Sequence, residues 1–169
     1  IFLLDSTTIS LCLSLFDWAK YKTAKGAVKM HTLLDYDGNL PAYINITNGK
    51  TADNKGAYEI PLLKGSVIVA DRFYNDFSLL NVWDSNDVFF VIRHKENLQF
   101  TTIKENELPE NRHAHILKDE IIELKNDTSR AKYAKKLRRV SVYDEKNNQV
   151  IELITNHFNW TANTIGELY

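Results

Sequence analysis

The sequence predicts a mixed α/β fold in which antiparallel strands lead into parallel ones, and three observations carry that reading. Residues 25–48, "KGAVKMHTLLDYDGNLPAYINITN", hold two extended runs around Asp37, Gly38 and Asn39, where Asp-Gly supplies the positive φ angles of a tight hairpin turn. "SVIVA" (66–70) and "DVFFVIR" (87–93) are short, uniformly apolar runs that read as strands buried on both faces, as parallel strands are. Between them "NDFSLLNVWDS" sets Phe77, Leu80, and Trp83 or Asp84 at helical spacing behind Asn75 or Asp76 as cap. Strand, helix, strand at that spacing is a right-handed parallel crossover.

Taken in order, residues 1–11 form a strand by apolar and β-branched content, with Asp5 inside it. The hairpin follows, so the domain opens with three antiparallel strands. "TADNKGAYEIPLL" is a short helix or irregular crossover ending before Pro61, and the crossover unit comes next. After Lys95 the texture becomes charged, with short extended runs and no buried-strand pattern. Residues 1–95 therefore read as the first part of the core and 96–139 as a partly β insertion on its edge. Residues 140–169 read as a second hairpin around Lys146–Asn148 and a helix starting near Thr161.

At 169 residues, 44% hydrophobic and 25% charged, the chain is long enough for one globular domain with a sizeable core. The lone Cys12 excludes a disulfide within the chain and a structural thiolate zinc site, and fits a reducing compartment. No apolar run approaches the roughly 20 residues that span a bilayer, and "IFLLDSTTIS" lacks the basic flank of a signal peptide. The expected location is the cytoplasm, with no membrane partner. The start also lacks Met while Ile1–Leu4 resemble the inside of a strand, so the sequence reads as a part of a longer chain. The formal charge of −1 does not by itself announce a nucleic-acid binder. One basic patch stands out, "SRAKYAKKLRR", with Arg130, Lys132, Lys135, Lys136, Arg138 and Arg139 and no acid.

The strand ending "VIVAD" raises a chemical question, because an Asp in a core needs a partner, a hydrogen bond or a metal. Short connections place the first strand beside the strand that ends at Asp71, making a topological switch point where open α/β sheets put their sites. Asp5 and Asp71 would then lie side by side. Two adjacent carboxylates repel unless one is protonated or a cation lies between them, and oxygen ligands favour Mg²⁺ or Mn²⁺ over zinc. The plainer alternative is that Asp5 caps a turn and Asp71 pairs with Arg72.

The succession "LLDSTTISL", "KGAVKMHTLLDYDGNLPAYINITNGKTADN", "VIVADRFYNDFSLL", "VFFVIRHKENL" and "LITNHFNWTANTIGELY" resembles, over essentially the whole chain, the DDE transposases of bacterial insertion sequences, specifically the family named for insertion sequence four. The resemblance implies an RNase H-like core with Asp5 and Asp71 as the first two acids of a catalytic triad. It further implies two divalent ions, Mg²⁺ or Mn²⁺, in the complete site, DNA as substrate, and a homodimer when assembled on DNA. In "DRFY", Arg72 and Tyr74 match the family's residues after its second aspartate. Tyr169 matches the tyrosine that opens the third motif, so the resemblance places the third acid beyond Tyr169 and implies that these residues alone are inactive or severely impaired. A related metal-dependent nuclease on the same fold, or a non-catalytic relic that binds DNA or protein, remains open.

Arg72 and Tyr74 are candidate DNA contacts, against the alternative of an ion pair and a packed ring. Lys25 and Lys29 could line the DNA path, or blunt an exposed strand edge. The basic run 129–139 could neutralise phosphates or balance the acids of "KDEIIELKND". His113 and His115 read as surface residues lacking a third ligand, and His31 as a satisfied core residue. Trp18, Trp83 and Trp160 read as core, and Asn156 takes no role from the sequence.

Overall fold

The computed structural model describes residues 1–12, 20–22, 25–38, 40–108 and 115–169. In them ten strands form one mixed sheet. The opening is antiparallel, as expected. β1 (Phe2–Leu11) pairs with β3 (Lys25–Asp35) along its whole length, from Phe2↔Asp35 to Leu11↔Gly26, and β2 (Lys20–Lys22) and β4 (Pro41–Asn48) line the other side of β3. The hairpin turn is tied by Asp37 N–H donating to the Asp35 carboxylate at 3.2 Å, and Asp35 N–H to the Leu40 carbonyl at 2.9 Å; Asn39 lies outside the described residues.

The short helix α1 (Asp53–Ala57) then carries the chain to β5 (Val67–Ala70), every residue of which is buried. Of the two caps offered for α2 (Phe77–Ser85), Asp76 is the one used, its carboxylate accepting from Ser78 N–H at 2.9 Å. The helix buries Leu79, Leu80 and Trp83, about 1.5–3 kcal/mol for each of the leucines. It returns the chain to β6 (Phe89–Arg93), parallel to β5, which is itself parallel to β1.

The segment read as an edge insertion is built into the same sheet. β7 (Phe100–Glu105) and β8 (Ile116–Leu124) extend it outward from β9 (Leu137–Asp144), which pairs with β10 (Gln149–Thr155) and through it with β6. Ile122, Leu124 and Leu137, with Tyr133 just after α3 (Asp127–Lys132), join the core beside α2. The charges of the segment hide this in the sequence because four of them pair inside the sheet. Asp119 and Glu120 on β8 face Arg138 and Arg139 on β9. Asn156 gains a role as well: its carboxamide accepts from Phe90 N–H at 3.0 Å and donates to Asp84 at 3.0 Å and the Val88 carbonyl at 3.2 Å, clamping β6, β10 and α2.

Side chains alternate across the strands, so the sheet has two apolar faces. Leu4, Leu33, Ile68, Ala70, Phe90 and Ile92 lie under α1 and α2. Val67, Val69, Val91, Val140, Val142 and Leu153 lie under α4 (Ala162–Glu167), whose cap Thr161 accepts from Thr164 N–H at 3.1 Å. Helix α4 sits close to the sheet, since a Cβ at Gly166 would come within 2.7 Å of Ile116 Cδ1.

Candidate active site

The parallel register of β1 on β5 runs Phe2↔Ile68, Leu3↔Val69, Leu4↔Ala70. One step further brings Asp5 level with Asp71, whose backbone is still extended (φ −78°, ψ 179°). By alternation both carboxylates follow Leu3 and Val69 onto the α4 face. Where β5 ends and β1 continues on β3 lies a notch of about 220 Å³ that takes its lining from both faces, Asp5 and Asp71 from one and Ser6, Thr8, Lys29 and Asp53 from the other, with Phe73 and Tyr74. The switch point read from the connections is therefore present, with the two aspartates at it.

Asp71 does two things at once. Its Oδ1 accepts from Phe73 N–H at 2.8 Å, capping a single 3-10 turn, Arg72–Tyr74. Burial pushes its pKa above the ordinary carboxylate value; the Phe73 bond opposes this, and the charges of Asp5 and Asp53 add to it. Such a site gains from a cation. Behind the pair, on the α1 face, Asp53 takes the Ser6 hydroxyl and the Lys29 ammonium, the latter at 2.9 Å. Burial acts to raise the Asp53 pKa, but Ser6 and Lys29 outweigh it and hold it below the ordinary value. Next along β3, His31 is fully buried with Nε2 3.0 Å from Thr47 Oγ1, and burial lowers its pKa. Its ring lies against Gly56, where a Cβ would fall within 2.4 Å of ring atoms. Asp53 was not singled out in the sequence; the one available signal was its place at a predicted helix start.

Several proposed DNA contacts take other places. Tyr74 is 1% exposed, with its ring in the core beside α2 and its hydroxyl pushed well above the ordinary tyrosine pKa by burial, so the packed-ring alternative holds. Arg138 and Arg139 leave the surface patch, since Arg138 makes a two-pronged pair with Asp119 at 2.7 and 2.8 Å and Arg139 bonds Glu120 and Glu152. Lys29 lies between two strands instead of on an edge, with its charge committed to Asp53. Lys135 bonds Asp84 at 2.8 Å, and Lys136 and Arg130 stand loosely by Glu123 and Asp127 at 4.0 and 3.8 Å. Arg72 does not pair with Asp71; it is half-exposed over the Phe73 ring, 3.5 Å from Glu96. Lys132 is exposed at the end of α3. Tyr169 follows α4, near Arg93 and within electrostatic reach of Asp71. The backbone of Lys25 is in β3 and its side chain, like His113 and Trp18, lies outside what is described. His115 is half-buried, Trp83 is core, and Trp160 stacks on His157 with ring centroids 4.1 Å apart.

Over residues 1–169 the sequence matches the family described as Transposase DDE domain. The chain belongs to that family. Transposase DDE domain relatives include a protein of Geobacillus stearothermophilus named "Probable transposase for insertion sequence element IS5377", 27% identical over 165 residues, which are 98% of this chain and 43% of the relative. Another, of Sinorhizobium fredii (strain NBRC 101917 / NGR234), is named "Putative transposase y4zB" and is 27% identical over 169 residues, 99% of this chain and 47% of the relative. The chain spans less than half the length of these curated relatives. The mixed sheet agrees with an RNase H-like DDE transposase domain.

The donor set at the notch suits a hard divalent cation. It is all oxygen, carries two carboxylates on one face, and leaves Asp71 Oδ2 free of the turn. Mg²⁺ keeps several waters and needs only one or two protein carboxylates beside substrate phosphates. Among the described residues no group of three or more His, Cys, Asp or Glu is arranged to hold a metal. No described helix is long and apolar enough to cross a membrane.

Proposed function

We propose that this chain is the catalytic-core portion of a transposase of the insertion-sequence-four type, cleaving DNA and joining strands at the ends of a mobile element. The observation that carries the reading is the β1–β5 register, which supports Asp5 and Asp71 as neighbouring ligands on one face. Mg²⁺ or Mn²⁺, two ions in the complete site, would supply an activated water or 3′ hydroxyl and neutralise the leaving oxygen. Asp5 and Asp71 hold the cation side. Asp71 is oriented by the Phe73 bond, so little side-chain freedom is lost when Oδ2 engages. Arg72, exposed just past Asp71, is placed to steady a DNA phosphate and to fix the strand for in-line displacement. Its loose partner Glu96 is readily exchanged for a phosphate. With two carboxylates at the notch and no group of three arranged for a metal among the described residues, these residues are expected to bind the cation weakly and to cut poorly. Assembly as a homodimer on two DNA ends, in the cytoplasm with the DNA, belongs to the same proposal.

The test is a Mn²⁺ titration followed by paramagnetic line broadening, with Asp5→Asn and Asp71→Asn as variants. Asn keeps the side-chain oxygen that caps the turn, so the fold is preserved. Broadening centred on β1 and β5 and lost in both variants supports the reading. Binding indifferent to both substitutions overturns it.

A further inference from the structure

The ladder between β1 and β5 ends with Leu4↔Ala70, one step short of the two aspartates. Past that pair β1 runs on along β3, while the chain leaving β5 bends into the turn Arg72–Tyr74 and then into α2. No pairing of β1 with β5 therefore fixes how far Asp5 stands from Asp71. A site for a small cation cannot leave that distance loose, since Mg²⁺ demands near-octahedral geometry at about 2.0–2.1 Å.

Side chains of α1 span the gap. Asp53, its first residue, takes the hydroxyl of Ser6, the residue after Asp5, and the Lys29 ammonium at 2.9 Å, so it ties β1 to β3. Its neighbour Asn54 donates Nδ2 to Asp76 Oδ2 at 2.6 Å, just past the turn that Asp71 opens, while the other Asp76 oxygen caps α2. Two consecutive residues of one helix thus grip the two segments that follow the two aspartates. Such short side chains reach both because α1 lies hard against β3, where a Cβ at Gly56 would fall within 2.4 Å of the His31 ring. The helix itself gains little from them: it has five residues, too few to be stable alone, and no side-chain cap.

We propose that Asp53 and Asn54 are positioning residues that set the separation of Asp5 and Asp71, and with it the preference of the site for Mg²⁺ or Mn²⁺ over Ca²⁺. The proposal rests on the reading of the two aspartates as metal ligands. Ca²⁺ takes its oxygen ligands at about 2.3–2.6 Å in flexible geometry, so it tolerates a slack pair of carboxylates that a smaller ion does not.

The test uses the 169-residue chain, with Mn²⁺ affinity read from the electron-spin resonance of the free ion and Ca²⁺ affinity by competition. Ser6→Ala and Asn54→Ala cut the two grips one at a time. Each should weaken Mn²⁺ binding about 10-fold, as removal of an outer partner of a metal ligand does, and weaken Ca²⁺ binding less. Ser6→Thr keeps the hydroxyl and should keep the parent's affinity. Asn45→Ala removes a 2.8 Å bond to Glu59 outside the notch and should alter neither ion. In metal-free protein, nuclear Overhauser contacts between the Asp5 and Asp71 backbones should weaken with Ser6→Ala and Asn54→Ala and stay with Asn45→Ala.

Equal losses for Mn²⁺ and Ca²⁺, a loss with Asn45→Ala as large as with Ser6→Ala, or no recovery with Ser6→Thr would each overturn the proposal and leave these bonds as general support for α1. If Mn²⁺ broadens Asp5 and Asp71 in the parent and in every variant alike, the positioning role alone falls. If it broadens neither in the parent, the metal reading falls and the ion preference with it, while the Overhauser contacts still decide whether α1 sets the spacing.

Discussion

Replacing Arg138 by Met should destabilise the protein by about 3–5 kcal/mol, the cost of breaking a buried pair from one side. Arg138 and Asp119 have side chains 6% and 7% exposed. Nε and Nη2 donate to the two carboxylate oxygens at 2.8 and 2.7 Å, and Nη1 donates to the carbonyls of Phe158 and Trp160. After the substitution Asp119 keeps only Asn106 Nδ2 at 3.1 Å, and a buried charge with one neutral donor is the expensive outcome. Adding Asp119→Leu removes the orphan charge, so the double variant should return to within about 1–2 kcal/mol of the parent, leaving only the two carbonyls short of a donor. Urea unfolding followed by tryptophan fluorescence gives both numbers. A single variant losing less than about 1 kcal/mol, the range of exposed pairs, would refute the burial argument. So would a double variant no more stable than the single one. If the chain binds DNA as proposed, the salt dependence of that binding should be unchanged in the double variant, since these donors face the protein interior.

Mn²⁺ affinity should fall with pH through a midpoint above the ordinary carboxylate range, because Asp71 must lose its proton to bind and burial holds that pKa up. Asp5→Asn removes a like charge and should move the proton-binding midpoint of Asp71, read by NMR, downward; an upward shift would contradict the adjacency. Asp84 is burdened by burial, yet Lys135, Asn156 and Tyr133 hold its pKa below the ordinary value. It therefore adds stability above the unfolded pKa of about 4 that is lost as pH falls through the lower folded value, and Asp84→Asn should flatten the acid limb of stability against pH. Gly56→Ala should cost about 1–3 kcal/mol by displacing the His31 ring, a loss that His31→Ala in the same chain should largely relieve in thermal unfolding.

Strands whose burial is written in apolar runs were legible, and β5 and β6 fell where the residues said. The hairpin followed from Asp37-Gly38, and the helix starts from Asp76 and Thr161. What stayed hidden was charge that folds inward. Asp119, Glu120, Arg138 and Arg139 look like solvent-facing residues one at a time and make sense only across the β8–β9 register. The basic run misled for the same reason, since its members scatter between a helix, a connecting loop and a buried ladder once the chain folds. Strand order alone puts β1 beside β5, so Asp5 and Asp71 could be set near each other in advance; the shared level and face depend on the β1–β5 register. Asp53 could not, because its meeting with Ser6 and Lys29 depends on how α1 lies across the sheet.

The pairing of Asp5 with Asp71 is a matter of odd and even counting along β1. For heredity this makes the site sensitive in an unusual way. Loss of one codon between Ile1 and Leu4 leaves Asp5 encoded, yet if the start of β1 keeps its pairing with β5, its carboxylate moves to the α1 face and Ser6 reaches the position next to Asp71. Loss of two codons restores the facing while stepping the carboxylate one pleat away. If the centre works as proposed, an insertion sequence that accumulates small in-frame deletions here would silence it with every aspartate still in the reading frame.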